Sequence, residues 1–126
     1  ADLAGKVVGA QEGSSAVDAI KKEEAVFQSF KELKTFGDNV TALMDLSTDR
    51  LEAVVVDEVV GRYYVAKKPD QYAVLEDHFG TEEYGVGLRK DDTELHGKLE
   101  KALGEMKADG AAAKIAEQWF GKNIIK

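Results

Sequence analysis

The sequence predicts an α/β fold, a mainly parallel sheet with flanking helices, followed by two C-terminal helices. Three observations carry that expectation. Short β-branched apolar runs, Lys6–Ala10 and Leu51–Asp57, alternate with amphipathic stretches. Each run ends in a polar turn of the kind that opens a helix. The last third then changes to a leucine spacing of three or four residues with no further strand.

In chain order, Lys6-Val7-Val8-Gly9-Ala10 reads as a strand, and Gln11-Glu12-Gly13-Ser14-Ser15 as a turn into a helix N-cap. Ala16, Val17, Ala19 and Ile20 give that helix an apolar face, and Lys21-Lys22 suit the negative end of its dipole. Ala25–Phe30 reads as a second short strand. Gly37-Asp38-Asn39 punctuates, and Val40, Leu43, Met44 and Leu46 line one face of the next helix until Ser47–Arg50 breaks it. Leu51–Asp57 is the clearest strand, its consecutive apolar residues pointing to burial on both faces. Glu58–Lys67 follows as a helix, with Val59, Val60, Tyr63 and Tyr64 on its apolar side and Pro69 just beyond its end. Tyr72–Leu75 completes a layer of four parallel strands. Tyr84–Lys90 is extended and glycine-bearing. Leu95, Leu99, Leu103 and Met106 mark Thr93–Ala108 as the longest helix, Gly110 ends it, and a last helix runs through Ile115 to Trp119-Phe120, anchored by burial of those two rings.

Composition narrows the function classes. The chain has 126 residues, 44% hydrophobic and 33% charged, the balance of an ordinary globular domain. It has no cysteine, which removes disulfides, thiolate metal sites and thiol nucleophiles. Seventeen basic against 24 acidic residues give a net charge of −7, and no local basic patch offers a nucleic-acid surface. No apolar run reaches the roughly 18 residues of a membrane span. No signal-peptide pattern opens the chain, which begins Ala1-Asp2-Leu3; a mature secreted chain reads the same way. His78 and His96 have no ligand-spaced partner, no Gly-x-Ser-x-Gly elbow occurs, and no catalytic constellation, metal site or cofactor site emerges.

Two strand ends carry polar signals. Gly13-Ser14-Ser15 opens a helix, where free N–H groups, hydroxyls and the positive dipole end suit a carboxylate or phosphate; a plain helix cap is the alternative. Asp57 closes a run of three valines, either as a helix cap or as the partner of a cation. Together they match a zwitterion, such as the α-carboxylate and α-ammonium of a free amino acid.

Asp2–Ser15 resembles the start of the second lobe in amino-acid-binding proteins of ABC importers, the type 2 periplasmic binding proteins. The shared pattern is leucine-x-glycine-lysine, a strand, then glutamine-x-glycine and two hydroxyl residues. Ala42–Leu46, Leu51–Asp57, Tyr84–Asp91, Leu103–Gly110 and Ile115–Gly121 follow in the family's order. The resemblance implies an extracytoplasmic solute-binding protein, not an enzyme. It implies that Gly13, Ser14 and Ser15 bind an amino acid's α-carboxylate and that Asp57 pairs with its α-ammonium. It also implies ABC transporter membrane subunits as partners, and a location in the periplasm or, lipid-anchored, on the outer membrane face. Binders of basic amino acids often have glutamine where this chain has Ala16, which disfavours arginine, lysine or histidine.

On this reading residues 1–83 are the ligand-binding second lobe, 84–90 a hinge strand, and 91–126 the helices that pack on a first lobe. The first lobe normally precedes the leucine-x-glycine-lysine motif, so the chain reads as a fragment that binds free amino acid weakly or not at all. Its C-terminal helices would find cover in a homodimer swapped at the hinge. The alternatives are the sensing lobe of a membrane receptor or sensor kinase, which shares these motifs, and a response-regulator receiver domain with Asp57 as phospho-acceptor. The receiver reading lacks the acidic pair that would hold magnesium, since the first strand ends in Gln11-Glu12. A dehydratase on the same fold would need acid and base groups from the missing lobe.

Overall fold

Val7–Gln11 forms the central strand β1 of a three-stranded sheet, with β2 (Glu32–Phe36) on one side and β3 (Ala53–Val55) on the other, both parallel to it. The structure is a computed structural model and describes residues 2–125. Around β1 the chain runs through α1 (Ser15–Lys22), α2 (Glu24–Ser29), β2 (Glu32–Phe36), α3 (Asn39–Ser47), β3 (Ala53–Val55) and α4 (Glu58–Lys67). Two further helices follow, α5 (Thr93–Ala108) and α6 (Ala111–Phe120). The expected α/β class holds, with α1, α3, α4, α5 and α6 where the sequence placed them.

Alternation of side chains along the strands feeds two cores, one on each face of the sheet. On one face Ala10 meets Val17 and Ile20 of α1, joined by Phe27, Phe30, Leu33, Val55 and Phe79. On the other, Phe36, Ala42 and Leu51 pack together with Val7, Leu46 and Val54. Ile20, Leu51 and Val8 are the largest fully buried side chains, each contributing about 1.5–3 kcal/mol by its removal from water. Gly9 sits where these layers come closest: a Cβ there would lie 2.5 Å from Leu51 Cδ1.

Several sequence expectations are corrected. Ala25–Phe30 is mostly helix α2, not a strand. Phe27 and Phe30 share one helical face and meet edge to face, centroids 6.2 Å apart, and Gln28 donates to Glu24 one turn back. The strand falls instead at Glu32–Phe36, where polar residues hide it. It pairs on one side only, so a charged residue is tolerated there. Lys34 extends over the Phe36 ring, 5.1 Å from its centroid. Tyr72–Leu75 and Tyr84–Lys90 are irregular, so the layer has three strands rather than four, and no strand occupies the segment expected as a hinge. Tyr72 is held instead by its hydroxyl, which donates to the Leu43 carbonyl at 3.0 Å.

In α3 the inward face also differs. Val40 and Met44 are exposed, while Ala42, Leu43 and Asp45 are buried. Asp45 is drawn inward by two cations: Lys34 Nζ lies 2.9 Å from one carboxylate oxygen, and Arg50 Nε and Nη2 donate to the other at 2.9 and 2.7 Å. The Arg50 hydrogen bonds, then that of Lys34, hold the Asp45 carboxyl below its ordinary range. Asp38 caps α3, accepting from the Thr41 N–H at 2.8 Å and its hydroxyl at 3.0 Å, and its carboxyl is lowered for the same reason.

The chain forms two compact units, one up to Thr81 and one from Glu82 onward. In the second, α5 and α6 pack on each other, and Ala116 is the buried residue of α6. Trp119 is 52% exposed, against the expectation that it is an anchor, and Leu95, Leu103 and Ile115 are exposed as well.

Candidate functional site

The strand order reverses at one point, between β1 and β3. From β1 the chain moves through α1 and α2 to β2 on one side, then through α3 to β3 on the other. The loops after β1 and β3 therefore diverge, and in open parallel sheets ligands bind at such a reversal, outside the carboxyl ends of the strands. The pairing of Ala10 with Val55 puts both strand ends on that edge. Gly13, Ser14 and Ser15 follow β1 there, and Asp57 follows β3. The shared edge expected from the sequence is thus present.

Geometry then bears on the helix-cap alternatives. The turn after Gln11 closes on its own carbonyl, which accepts from the Ser14 hydroxyl at 2.8 Å and the Ser14 N–H at 3.3 Å. Gly13 takes φ +68°, a left-handed conformation that glycine adopts without strain. Ser14 occupies the N-cap position of α1, yet its side chain accepts no bond from the helix. The N–H groups that every helix leaves unmatched at its first turn are therefore not met by that hydroxyl. Ser15 is exposed beside them. Asp18 also lies in this first turn, exposed, and complements the dipole.

Asp57 stands at the N-cap position of α4 with an extended backbone, φ −55° and ψ 137°. Its carbonyl accepts from the Gly61 N–H at 2.9 Å, but its carboxylate makes no cap hydrogen bond. The residue is half-buried. Neither predicted site residue spends its side chain on capping. The arrangement pairs a turn rich in hydrogen-bond donors with a carboxylate on the next strand.

Sequence reasoning missed a connection behind the turn. The Gln11 carboxamide reaches the loop before α3: its Oε1 accepts from Asn39 Nδ2 at 3.1 Å and its Nε2 donates to the Gly37 carbonyl at 3.4 Å. The signal was on the page, since Gln11 belongs to the Gln-x-Gly-Ser-Ser motif, but only pairing of β1 with β2 brings Gly37 and Asn39 alongside. His78 and His96 are exposed, and His78 Nδ1 accepts from the Gly80 N–H at 3.2 Å. Among the described residues no three histidine, cysteine, aspartate or glutamate side chains gather as a metal site.

Comparison with known proteins agrees with this architecture. The family model of the bacterial extracellular solute-binding proteins, family 3, matches residues 4–122. The chain is 33% identical to the L-cystine-binding protein TcyJ of Escherichia coli K12, over 99% of this chain and 46% of that protein. It is 32% identical to the lysine/arginine/ornithine-binding periplasmic protein of the same organism, over 97% of this chain and 49% of the other. Among solved structures, a polar amino acid ABC uptake transporter substrate binding protein from Streptococcus thermophilus superposes with a TM-score of 0.73 at 30% identity. That match covers 98% of this chain and 49% of the other. An ancestral arginine-binding protein bound to arginine gives 0.64 at 38% identity, over 94% of this chain and 52% of the other. The chain thus spans about half the length of the relatives it matches. With its motifs in order, its three-stranded parallel layer and a family match over residues 4–122, the chain belongs to the bacterial extracellular solute-binding proteins of family 3.

Proposed function

We propose that this chain supplies one wall of an amino-acid-binding cleft in an extracytoplasmic receptor for an ABC importer, a binding module rather than an enzyme. The carrying observation is the strand-order reversal between β1 and β3, with the Gly13–Ser15 turn after one strand and Asp57 after the other on the same edge of the sheet. The α-carboxylate sits at the turn, held by N–H groups, the Ser15 hydroxyl and the dipole of α1. The α-ammonium sits at Asp57. Relatives named for cystine, arginine or lysine share the zwitterion and differ in side chain, which supports a site in this chain that reads the common part. The opposing wall and the side-chain contacts come from a companion lobe, and membrane subunits of the importer are the partners of the whole assembly. No helix among the described residues is long and apolar enough to cross a membrane.

With one wall only, binding is millimolar or weaker, about −4 kcal/mol or less. The test is an NMR titration of the chain with L-arginine and, separately, with acetate and with methylammonium. L-Arginine is expected to shift the amides of Gly13, Ser14, Ser15 and Asp57 together, acetate the first three, methylammonium the last. Asp57→Ala abolishes the methylammonium response and leaves α4 formed, because the carboxylate does not cap it. Sub-micromolar binding overturns the half-cleft reading, and shifts confined to other residues, or absent altogether, overturn the site. The exposed Leu95, Leu103, Ile115 and Trp119 support a covered face on α5 and α6, in a homodimer swapped near Tyr84–Gly87. Sedimentation as a monomer at micromolar concentration argues against that dimer.

A further inference from the structure

We propose that Gln11 is a positioning residue: its side chain ties the carboxylate-binding turn to the loop before α3 and so holds that turn in its binding shape. The proposal rests on the carboxylate assignment made above, although its structural part stands apart from any ligand.

Four hydrogen bonds converge on this one residue. Its main-chain carbonyl accepts both Ser14 donors and thereby closes the Gly13 turn. Its side chain accepts from Asn39 and donates to the Gly37 carbonyl. The next residue adds a rung, the Glu12 N–H donating to the Phe36 carbonyl at 2.7 Å. The Gly37 carbonyl has no hydrogen to give, so the carboxamide nitrogen must face it, and Asn39 must then be the donor to the oxygen. The set of bonds has a single consistent orientation.

Residue type follows from this. Glutamine supplies a donor and an acceptor at the reach required. Asparagine is one methylene too short for both partners. Glutamate keeps the bond from Asn39 but turns an anionic oxygen toward the Gly37 carbonyl. Methionine fills the space and makes neither bond. Gln11 and Asn39 are both half-buried, so water competes for these bonds only in part. Asn39 opens α3, whose cap at Asp38 is fixed by Thr41, so the far end of the tie is anchored. At Gly13 itself the Cβ direction meets nothing within 4 Å, so no neighbouring side chain braces that point of the turn. The tether to a capped helix adds a fixed point beside it.

The experiment compares the parent chain with Gln11→Met, Gln11→Glu, Asn39→Ala and the double variant Gln11→Met/Asn39→Ala. Amide hydrogen exchange is read at residues 13–15 and 37–39, alongside the urea midpoint and the L-arginine titration. Gln11→Met is expected to speed exchange at Ser14, the hydrogen-bonded amide of the turn, about two- to ten-fold for each bond lost, with a small change in midpoint. Asn39→Ala, remote in sequence, is expected to speed exchange at Gly13–Ser15 as well. The double variant should add less than the product of the two single effects. Gln11→Glu should fall between Gln11→Met and the parent at residues 13–15. L-Arginine should bind several-fold more weakly wherever exchange is faster. If Asn39→Ala leaves residues 13–15 unchanged, the tie does not exist. If exchange quickens but L-arginine affinity holds, the tie exists and the positioning role is wrong. If the parent shows neither L-arginine nor acetate shifts at Gly13–Ser15, the carboxylate site fails while the exchange measurements still decide the tie.

Discussion

Substituting Gly9 by alanine tests the closest approach in the fold. Built on the existing backbone, the new Cβ lies 2.5 Å from Leu51 Cδ1, 3.2 Å from Phe36 Cε2 and 3.4 Å from Val54 Cγ2. Carbon atoms prefer about 3.5–4.0 Å, so the Leu51 contact overlaps by about 1 Å. Neither neighbour has an escape, since Leu51 is 2% and Phe36 8% exposed. Overpacking of this kind costs about 1–3 kcal/mol. Alanine returns about 0.5–1 kcal/mol through the lower entropy of its unfolded chain. With an overlap of about 1 Å, the upper half of that overpacking range applies. The net loss is about 1–2.5 kcal/mol, and for a chain of this length Tm falls by about 3–12 °C. Circular dichroism melts of the 126-residue chain measure it. The companion variant Leu51→Val removes one crowding methyl group, so the Gly9→Ala/Leu51→Val chain should be more stable than the sum of the single changes predicts. A Gly9→Ala chain that melts at or above the parent temperature refutes the packing argument.

The Asp45 carboxyl is lowered in the folded chain by Arg50 and Lys34. Its contribution is therefore complete above the unfolded value of about 3.9 and disappears as pH falls through the folded value. Urea midpoints of the parent should drop more steeply than those of Asp45→Asn as pH is lowered below about 4; parallel profiles contradict the assignment. Gly13→Ala keeps open space around the new methyl group but places alanine at φ +68°, costing about 1–2 kcal/mol and weakening any L-arginine response at Ser14 and Ser15. A chemical denaturation curve matching the parent speaks against a left-handed turn. In a two-lobed receptor containing this chain, Ser15→Ala should cost about 1–2 kcal/mol of amino-acid affinity and Asp57→Ala about 2–5 kcal/mol. Calorimetry ranking Ser15 above Asp57 would reverse the proposed roles.

What the sequence revealed depended on whether a residue's neighbours were close along the chain. Local helix chemistry was legible: the spacing in Thr93–Ala108 and the turn at Gly110 delimit α5 as the structure has it. Glu32–Phe36 was not legible, because its identity as a strand comes from pairing with Val7–Gln11, and its lysine and glutamate mask the alternation. Phe27 and Phe30 misled for the opposite reason, since an apolar run of that length suits strand or helix until the core shows which face is used. Asp45 was invisible as a core residue because its burial depends on Lys34 and Arg50, and only the fold brings Lys34 beside it. The chemistry at both strand ends was legible, Gly13–Ser15 as donors and Asp57 as an anion. Their common edge required the parallel register. Gln11 stood in a visible motif, but its partners Gly37 and Asn39 were not legible, since carboxamide partners distant in sequence leave no periodic trace.

The shortness of β3 sets how the shared edge is lost. The strand pairs through only Ala53, Val54 and Val55, and with β1 alone, whereas β1 and β2 match along five residues. Its ladder therefore opens at lower free energy than the β1–β2 ladder, and local unfolding begins where few bonds hold an element. When it frays, Asp57 leaves the edge while Gly13, Ser14 and Ser15 stay with β1 and its tether. The ladder lengths predict a state, short of denaturation, in which the Gly13–Ser15 turn keeps its place and Asp57 does not. On the proposed binding mode a zwitterion would bridge that weak seam, and its binding would slow amide exchange in β3 before it altered the melting of the rest.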